Sequence, residues 1–347
     1  MRKEPESTDA VSTSVQISAL NVALMKQHPV ITNQAHLPTP PIKRIYSILD
    51  NAIVEHDSGC CFVAFSRFGK TFAIRVLKAQ LKYNFQDVPI LSVNAKGHDT
   101  FSETTFFSEL SDSLAGGAGV SKGMPGHSRK ANILRRHVLR FIWTAAESKD
   151  GDKVVLFVDE AQNWHEKELS ALRDLSNDLL MDGNVDLISV FFGAPALISI
   201  RESLLDADRT DLIGRFMLKQ FEFQGICTLA ELMDVNKCYD DVTMSEFPIG
   251  SGVSYSAFFF PMAFKHGWRL EKEASLAWGA FMSIASPHGG FNEIGMKWIA
   301  SAIRRFFTEQ SGFDTPQFRG TAEMWMQAVK SSGFAQTLGV TYSKKDS

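Results

Sequence analysis

From Cys60 to Leu81 the chain reads CCFVAFSRFGKTFAIRVLKAQL. An apolar run, Cys60 to Phe65, precedes a short polar turn, and Ile74, Leu77 and Leu81 then recur at helical spacing. The order predicts a strand, a loop and a helix. That order suits a polyphosphate, because the loop amides and the positive end of the helix dipole point at one anion. Ser66, Arg67, Phe68 and Gly69 are expected to wrap the phosphates, Lys70 to reach the β- and γ-phosphates, and the Thr71 hydroxyl to ligate Mg²⁺. The full pattern is G-x-x-x-x-G-K-[ST]; here it is AFSRFGKT, with Ala64 at the first position. That change touches only the loop's entry turn, where Ala is barred from positive φ.

A second stretch, DKVVLFVDEAQNW, runs from Asp152 to Trp164. Val154 to Val158 form a continuous apolar run suited to a central parallel strand buried on both faces. Asp159 and Glu160 follow at its C-terminal end, where open α/β sheets place their ligands. In P-loop NTPases the acid ending this strand holds Mg²⁺ and the next acid polarises the attacking water. The competing reading is a solvated acidic turn and an ordinary Gly-Lys loop. Two motifs in the right order, each at a strand end, favour the nucleotide site over that reading.

Composition narrows the class. The 347 residues are enough for one large or two modest domains, and 44% hydrophobic with 22% charged residues suits a soluble globular chain. A net charge of −3 argues against a globally basic nucleic-acid binder but permits a local basic surface. Cys60, Cys61, Cys227 and Cys238 show no CxxC pairing, so reduced thiols and a cytoplasmic compartment are expected. No run of about twenty apolar residues and no signal-peptide core are present, so no membrane partner is expected.

In chain order, residues 1–36 read as an arm, either loosely held or docking through the apolar patch Val15 to Met25. Thr39-Pro40-Pro41 opens a helix striped by Ile42, Ile45, Ile48, Leu49 and Ile53. Val88 to Lys96 reads as a strand, Phe101 to Leu114 as a helix, Gly116 to Lys130 as a Gly-rich loop and Arg129 to Trp143 as a basic helix. Val185 to Leu197 is a strand closing on Gly193, and Asp208 to Phe223 places Arg215 just before another strand-like run. Strands separated by helices give the βαβ rhythm of a parallel sheet. The expected fold is therefore α/β, with a nucleotide-binding core over 37–224, a helical lid over 225–330 and a tail over 331–347. Lys122, Arg129, Lys130, Arg135, Arg136 and Arg140 give a local positive excess, read either as a contact for a nucleic-acid backbone or as a salt-bridged solvated face.

Together SRFGKT, LFVDEAQ, FFGAPAL and LIGRF resemble the AAA+ ATPases that regulate transposition, the TnsC/TniB family, which serve bacterial transposons including CRISPR-associated ones. The resemblance covers roughly 40–307 and is most specific at residues 159–162 and 193–197. It implies an AAA+ P-loop core with a helical lid, bound ATP and Mg²⁺, and assembly of a homo-oligomeric ring or filament around duplex DNA. That assembly would link a target-selection protein to the transposase. Lys70 and Thr71 would hold phosphate and Mg²⁺, Asp159 would hold Mg²⁺ through water, and Glu160 would activate the hydrolytic water. Arg215, with Arg209 as the alternative, stands where such proteins present an arginine finger to a neighbouring subunit. Lys96 joins Lys122, Arg129 and Lys130 as a DNA-contact candidate. No polar residue precedes Gly193 to sense the γ-phosphate, and Ser189 lies too early in its strand. A nucleotide-gated scaffold with little hydrolysis and a replication-initiator-like ATPase are the alternatives.

Overall fold

The computed structural model describes residues 23–65, 68–117 and 130–341. They fall into two compact units, one of residues 40–226 and the other of residues 23–39 with those from 227 onward. The first unit contains a five-stranded parallel sheet: β1 (Gly59–Val63), β2 (Ile90–Asn94), β3 (Lys153–Asp159), β4 (Asp186–Gly193) and β5 (Gln220–Glu222), in spatial order β2-β3-β4-β1-β5. Its helices are α1 (Pro40–Val54), α2 (Lys70–Asn84), α3 (Glu103–Gly117), α4 (Ala131–Glu147), α5 (Glu166–Gly183) and α6 (Ala196–Asp206).

Alternation along each strand divides the core in two. Cys60, Phe62, Val155, Phe157, Val190 and Phe192 pack with Ile45 and Leu49 of α1 and Leu77 and Leu81 of α2. Cys61, Val63, Leu156, Val158 and Phe191 pack with residues of α3 to α6, among them Phe107, Val138, Leu172 and Ile200. The adjacent cysteines thus belong to opposite faces and stay free, and burial pushes both thiols up to about 12. Parallel strands covered on both sides favour near-continuous apolar runs, which β1 and β3 have and which Ser189 interrupts in β4.

Register decides what the sheet presents at its C-terminal edge. Val63 pairs with Gly193, and Asn94 with Asp159, so the last residues of four strands lie along one edge. Gly59 is needed at the other end of β1, because a Cβ there would lie 2.5 Å from the Ser189 carbonyl oxygen.

The second unit is helical: α7 (Leu229–Asp240), α8 (Leu270–Ala285), α9 (Met296–Gln310) and α10 (Ala322–Ser332), with shorter turns including Tyr255–Phe259 and Pro261–Lys265. Aromatic rings fill its core, with Phe306 stacked on Trp325 at 4.2 Å between centroids. The Trp268 and Trp325 indole N–H groups and the Gly320 amide all donate to the buried Glu273 carboxylate, at 2.7, 3.1 and 3.0 Å. Residues 28–33, which the sequence assigns to an arm, pack within this unit. His28 is fully buried among Phe247, Tyr255, Phe258 and Phe259, and Arg304 donates to the Val30 carbonyl at 2.6 Å and bonds Asn33. Beyond α10 the helix Ala335–Thr341 follows, and Phe334 is buried against Phe281. Among the described residues no helix is long and apolar enough to cross a membrane.

Candidate nucleotide site

The phosphate loop leaves β1 at Val63 and ends at Gly69, whose φ of 100° is the left-handed geometry that glycine supplies without strain. Lys70 then opens α2, and the first-turn amides of that helix have no carbonyl within it to bond. Lys70 is only 7% exposed, and its ammonium donates to the Ala64 and Phe65 carbonyls at 3.2 and 3.5 Å. Burial lowers its pKa, opposed by the Glu160 and then the Asp159 carboxylates. Phe68 is buried in the core with Phe62 and Ala73. Ser66 and Arg67 lie outside the described residues.

The acids arrive from β3, two places along the sheet from β1, with β4 between them. The Thr71 hydroxyl donates to Asp159 Oδ2 at 2.7 Å, and Asp159 Oδ1 accepts from the Glu160 amide at 3.0 Å. Lys70, Thr71, Asp159 and Glu160 are therefore together at the C-terminal edge. Glu160 has φ 54° and ψ 37°, a left-handed conformation that a non-glycine residue adopts at a cost and that clusters at functional sites. These residues fit a magnesium nucleotide: a desolvated cation for phosphate, helix-start amides, and a hydroxyl–carboxylate pair of hard oxygens. Among the described residues no cluster of three or more His, Cys, Asp or Glu could hold a metal unaided. A Mg²⁺ ion that takes most of its ligands from phosphate and water needs none.

One residue quoted only as part of a motif proves central. The Gln162 side-chain amide donates to Glu160 Oε2 at 2.6 Å, and its oxygen accepts from the Ala194 amide at 2.9 Å. Asn163 donates to the Ala95 carbonyl at 2.9 Å, fastening the same turn to the end of β2. A polar residue two places beyond Glu160 was the available signal; the register that aims it was not.

Arg215 is not in this constellation. It lies in the π-helical segment Ile213–Met217, donates to the Ser176 hydroxyl at 2.8 Å, and its carbonyl oxygen would lie 3.1 Å from a Cβ on Gly59 at the start of β1. That places its backbone at the opposite edge of the sheet, roughly 13 Å along a five-residue strand. Burial, and next to it the charge of Arg173, lowers its pKa. Arg209 bonds Glu166, Asp211 and Ser170.

Lys96 is paired with Glu109 at 3.2 Å, Lys130 is the exposed residue before α4, and Lys122 and Arg129 lie outside the described residues. On α4 itself, Arg135 is paired with Asp178 at 2.6 Å.

The sequence profile of the AAA domain family matches residues 54–200. No curated protein matches the chain. Among solved structures, the chain is similar to the ORC1 protein of Aeropyrum pernix in complex with DNA, at 14% identity and TM-score 0.45 over 84% of this chain and 63% of that one. It thus spans less than two thirds of that protein's length. A Walker-type ATPase of Pyrococcus abyssi gives 11% and 0.48 over 90% and 77%, and domain III of the Thermotoga maritima replication initiation protein DnaA gives 12% and 0.40 over 84% and 92%. With a phosphate loop after β1, paired acids after β3 and the order β2-β3-β4-β1-β5, residues 54–200 are an AAA-type P-loop ATPase domain, and the fold is that of the AAA+ P-loop NTPases.

Proposed function

We propose that this protein is a Mg²⁺-dependent ATPase whose nucleotide controls self-assembly on duplex DNA, as a regulator of transposition that links a target-selection protein to the transposase. The observation that carries the nucleotide chemistry is the 2.7 Å contact between Thr71 and Asp159, which brings residues 88 positions apart to one point with Lys70 and Glu160 alongside. The four motifs shared with the TnsC/TniB regulators support the assembly and DNA parts of the reading.

In this mechanism Lys70 neutralises phosphate charge and the α2 amides bind phosphate oxygens. Thr71, and Asp159 through water, would hold Mg²⁺, which when bound would neutralise charge developing on the phosphates. Glu160 orients the attacking water and accepts its proton. Arg215 serves the site of the adjoining subunit, where a cation stabilises the charge of the transferring group. Residues 225–330 are assigned as the lid, and Lys96, Lys122, Arg129 and Lys130 as the contacts to the DNA backbone.

Phosphate release by the wild type and by Glu160→Gln, with electron microscopy of each in ATP, Mg²⁺ and linear duplex, tests the reading. Turnover lost in the variant while ATP-dependent rings or filaments persist is expected. Equal phosphate release would remove Glu160 from the chemistry, and particles that stay monomeric on DNA would sink the assembly reading.

A further inference from the structure

A general base works only when its carboxylate is held in one orientation, and Glu160 sits on a short turn with rotamer freedom of its own. Two hydrogen bonds remove that freedom. Gln162 Nε2–H donates to Glu160 Oε2 at 2.6 Å, and the Ala194 N–H donates to Gln162 Oε1 at 2.9 Å. Because one end of the amide must accept and the other donate, the two contacts fix which way it faces. Gly193 makes the arrangement possible: a Cβ there would lie 3.1 Å from Gln162 Oε1 and 2.9 Å from Leu197 Cδ2. The turn's other anchor, Asn163 on the Ala95 carbonyl, does not touch the carboxylate.

We propose that Gln162 is the positioning residue for Glu160, holding one carboxylate oxygen so that Oε1 faces the water and tying that orientation to the tip of β4. The proposal rests on the ATPase reading above. It also supplies what β4 itself lacks, since that strand ends in a glycine and offers no polar side chain at its tip. Ala194 leads through Pro195 into α6, and α6 leads to the segment bearing Arg209 and Arg215. A shift at the start of α6 therefore reaches Glu160 through a single amide.

Gln162→Glu separates this role from a merely structural one. It keeps an oxygen for the Ala194 amide but replaces the donor to Glu160 with a second carboxylate. The expected result is a kcat lowered about 10- to 100-fold with KM for ATP and the melting temperature unchanged, the loss typical of a misaimed catalytic group. A wild-type kcat in Gln162→Glu overturns the proposal. A second measurement does not depend on turnover: in protein labelled with ¹⁵N-alanine, Glu160→Ala should shift the Ala194 amide resonance. An unmoved resonance overturns the link between Glu160 and β4. A resonance that moves in Glu160→Ala while the wild type releases no phosphate would instead sink the ATPase reading, and with it the positioning role.

Discussion

At the residue scale Lys70 meets two opposed demands. In the proposed nucleotide site it would have to be charged to bind phosphate, yet it is almost wholly buried and its pKa is lowered by that burial. Taking an ammonium out of water costs several kcal/mol after relaxation, whereas its two hydrogen bonds to loop carbonyls return about 1 kcal/mol each. Lys70→Met keeps the aliphatic stem and drops the charge. It is expected to abolish ATP binding while raising the melting temperature by about 2–4 °C, the shift that roughly 1 kcal/mol gives a domain of this size. A fluorescent-ATP titration and a thermal melt on the same sample check this; unchanged affinity would remove Lys70 from the site. That Lys70, Thr71, Asp159 and Glu160 come together was legible because phosphate and Mg²⁺ chemistry demands those residue types at fixed local spacing. Gln162 was visible in its motif but its task was not, since its partner Ala194 is 32 residues away and the meeting depends on strand register.

At the scale of elements, apolar runs and helical stripes disclosed β1, β3, β4 and most helices. The stretch from Asp208 to Phe223 read as a strand approach, but its apolar residues Ile213, Phe216 and Met217 face the core from a π-helical turn, leaving only Gln220–Glu222 as strand. Close backbone approach is likewise invisible in sequence, and Gly59 is the clearest case. Gly59→Ala would press a Cβ into backbone oxygens of Ser189 and Arg215, at 2.5 and 3.1 Å, and should cost about 1–3 kcal/mol by chemical denaturation. Gly279→Ala, in open space within α8, should instead gain about 0.5–1 kcal/mol. If the two variants melt alike, the packing of β1 is not what requires glycine. The turn Pro29–Thr32 carries a pH dependence. His28 Nδ1 accepts from the Val30 amide, and burial among aromatic rings lowers its pKa from 6.5 to about 4. The unfolded chain binds this proton at higher pH than the folded one, so stability is full above pH 6.5 and is lost progressively as pH falls towards 4. The difference is roughly 3 kcal/mol. His28→Asn keeps a capping acceptor and should flatten this acid limb in melts followed by tryptophan fluorescence; an unchanged limb would assign the proton elsewhere.

For the whole molecule, the sequence sets boundaries at 36/37 and 224/225 and the two compact units divide at 39/40 and 226/227; what composition does not show is that residues 28–33 join the second unit, because that depends on where His28 and Arg304 find partners far along the chain. The AAA-type domain could be read, since its two motifs are local and ordered. What the single chain leaves unassembled is the arginine: Arg215 has its backbone at the far edge of its own sheet, so a role in hydrolysis requires a second copy. Glu160→Gln and Arg215→Ala should each be nearly inactive alone. If the copies assemble as proposed, mixing them with DNA and Mg·ATP would form junctions that combine an intact Glu160 from one subunit with an intact Arg215 from the next, and phosphate release should return. Repeating the mixture with Arg209→Ala decides between the two arginines, because Arg209 is already committed to Glu166 and Asp211. Activity no greater than the sum of the separate variants, for both arginines, would mean that each copy hydrolyses ATP without its neighbour, and assembly would then have to be explained by something other than a shared catalytic site.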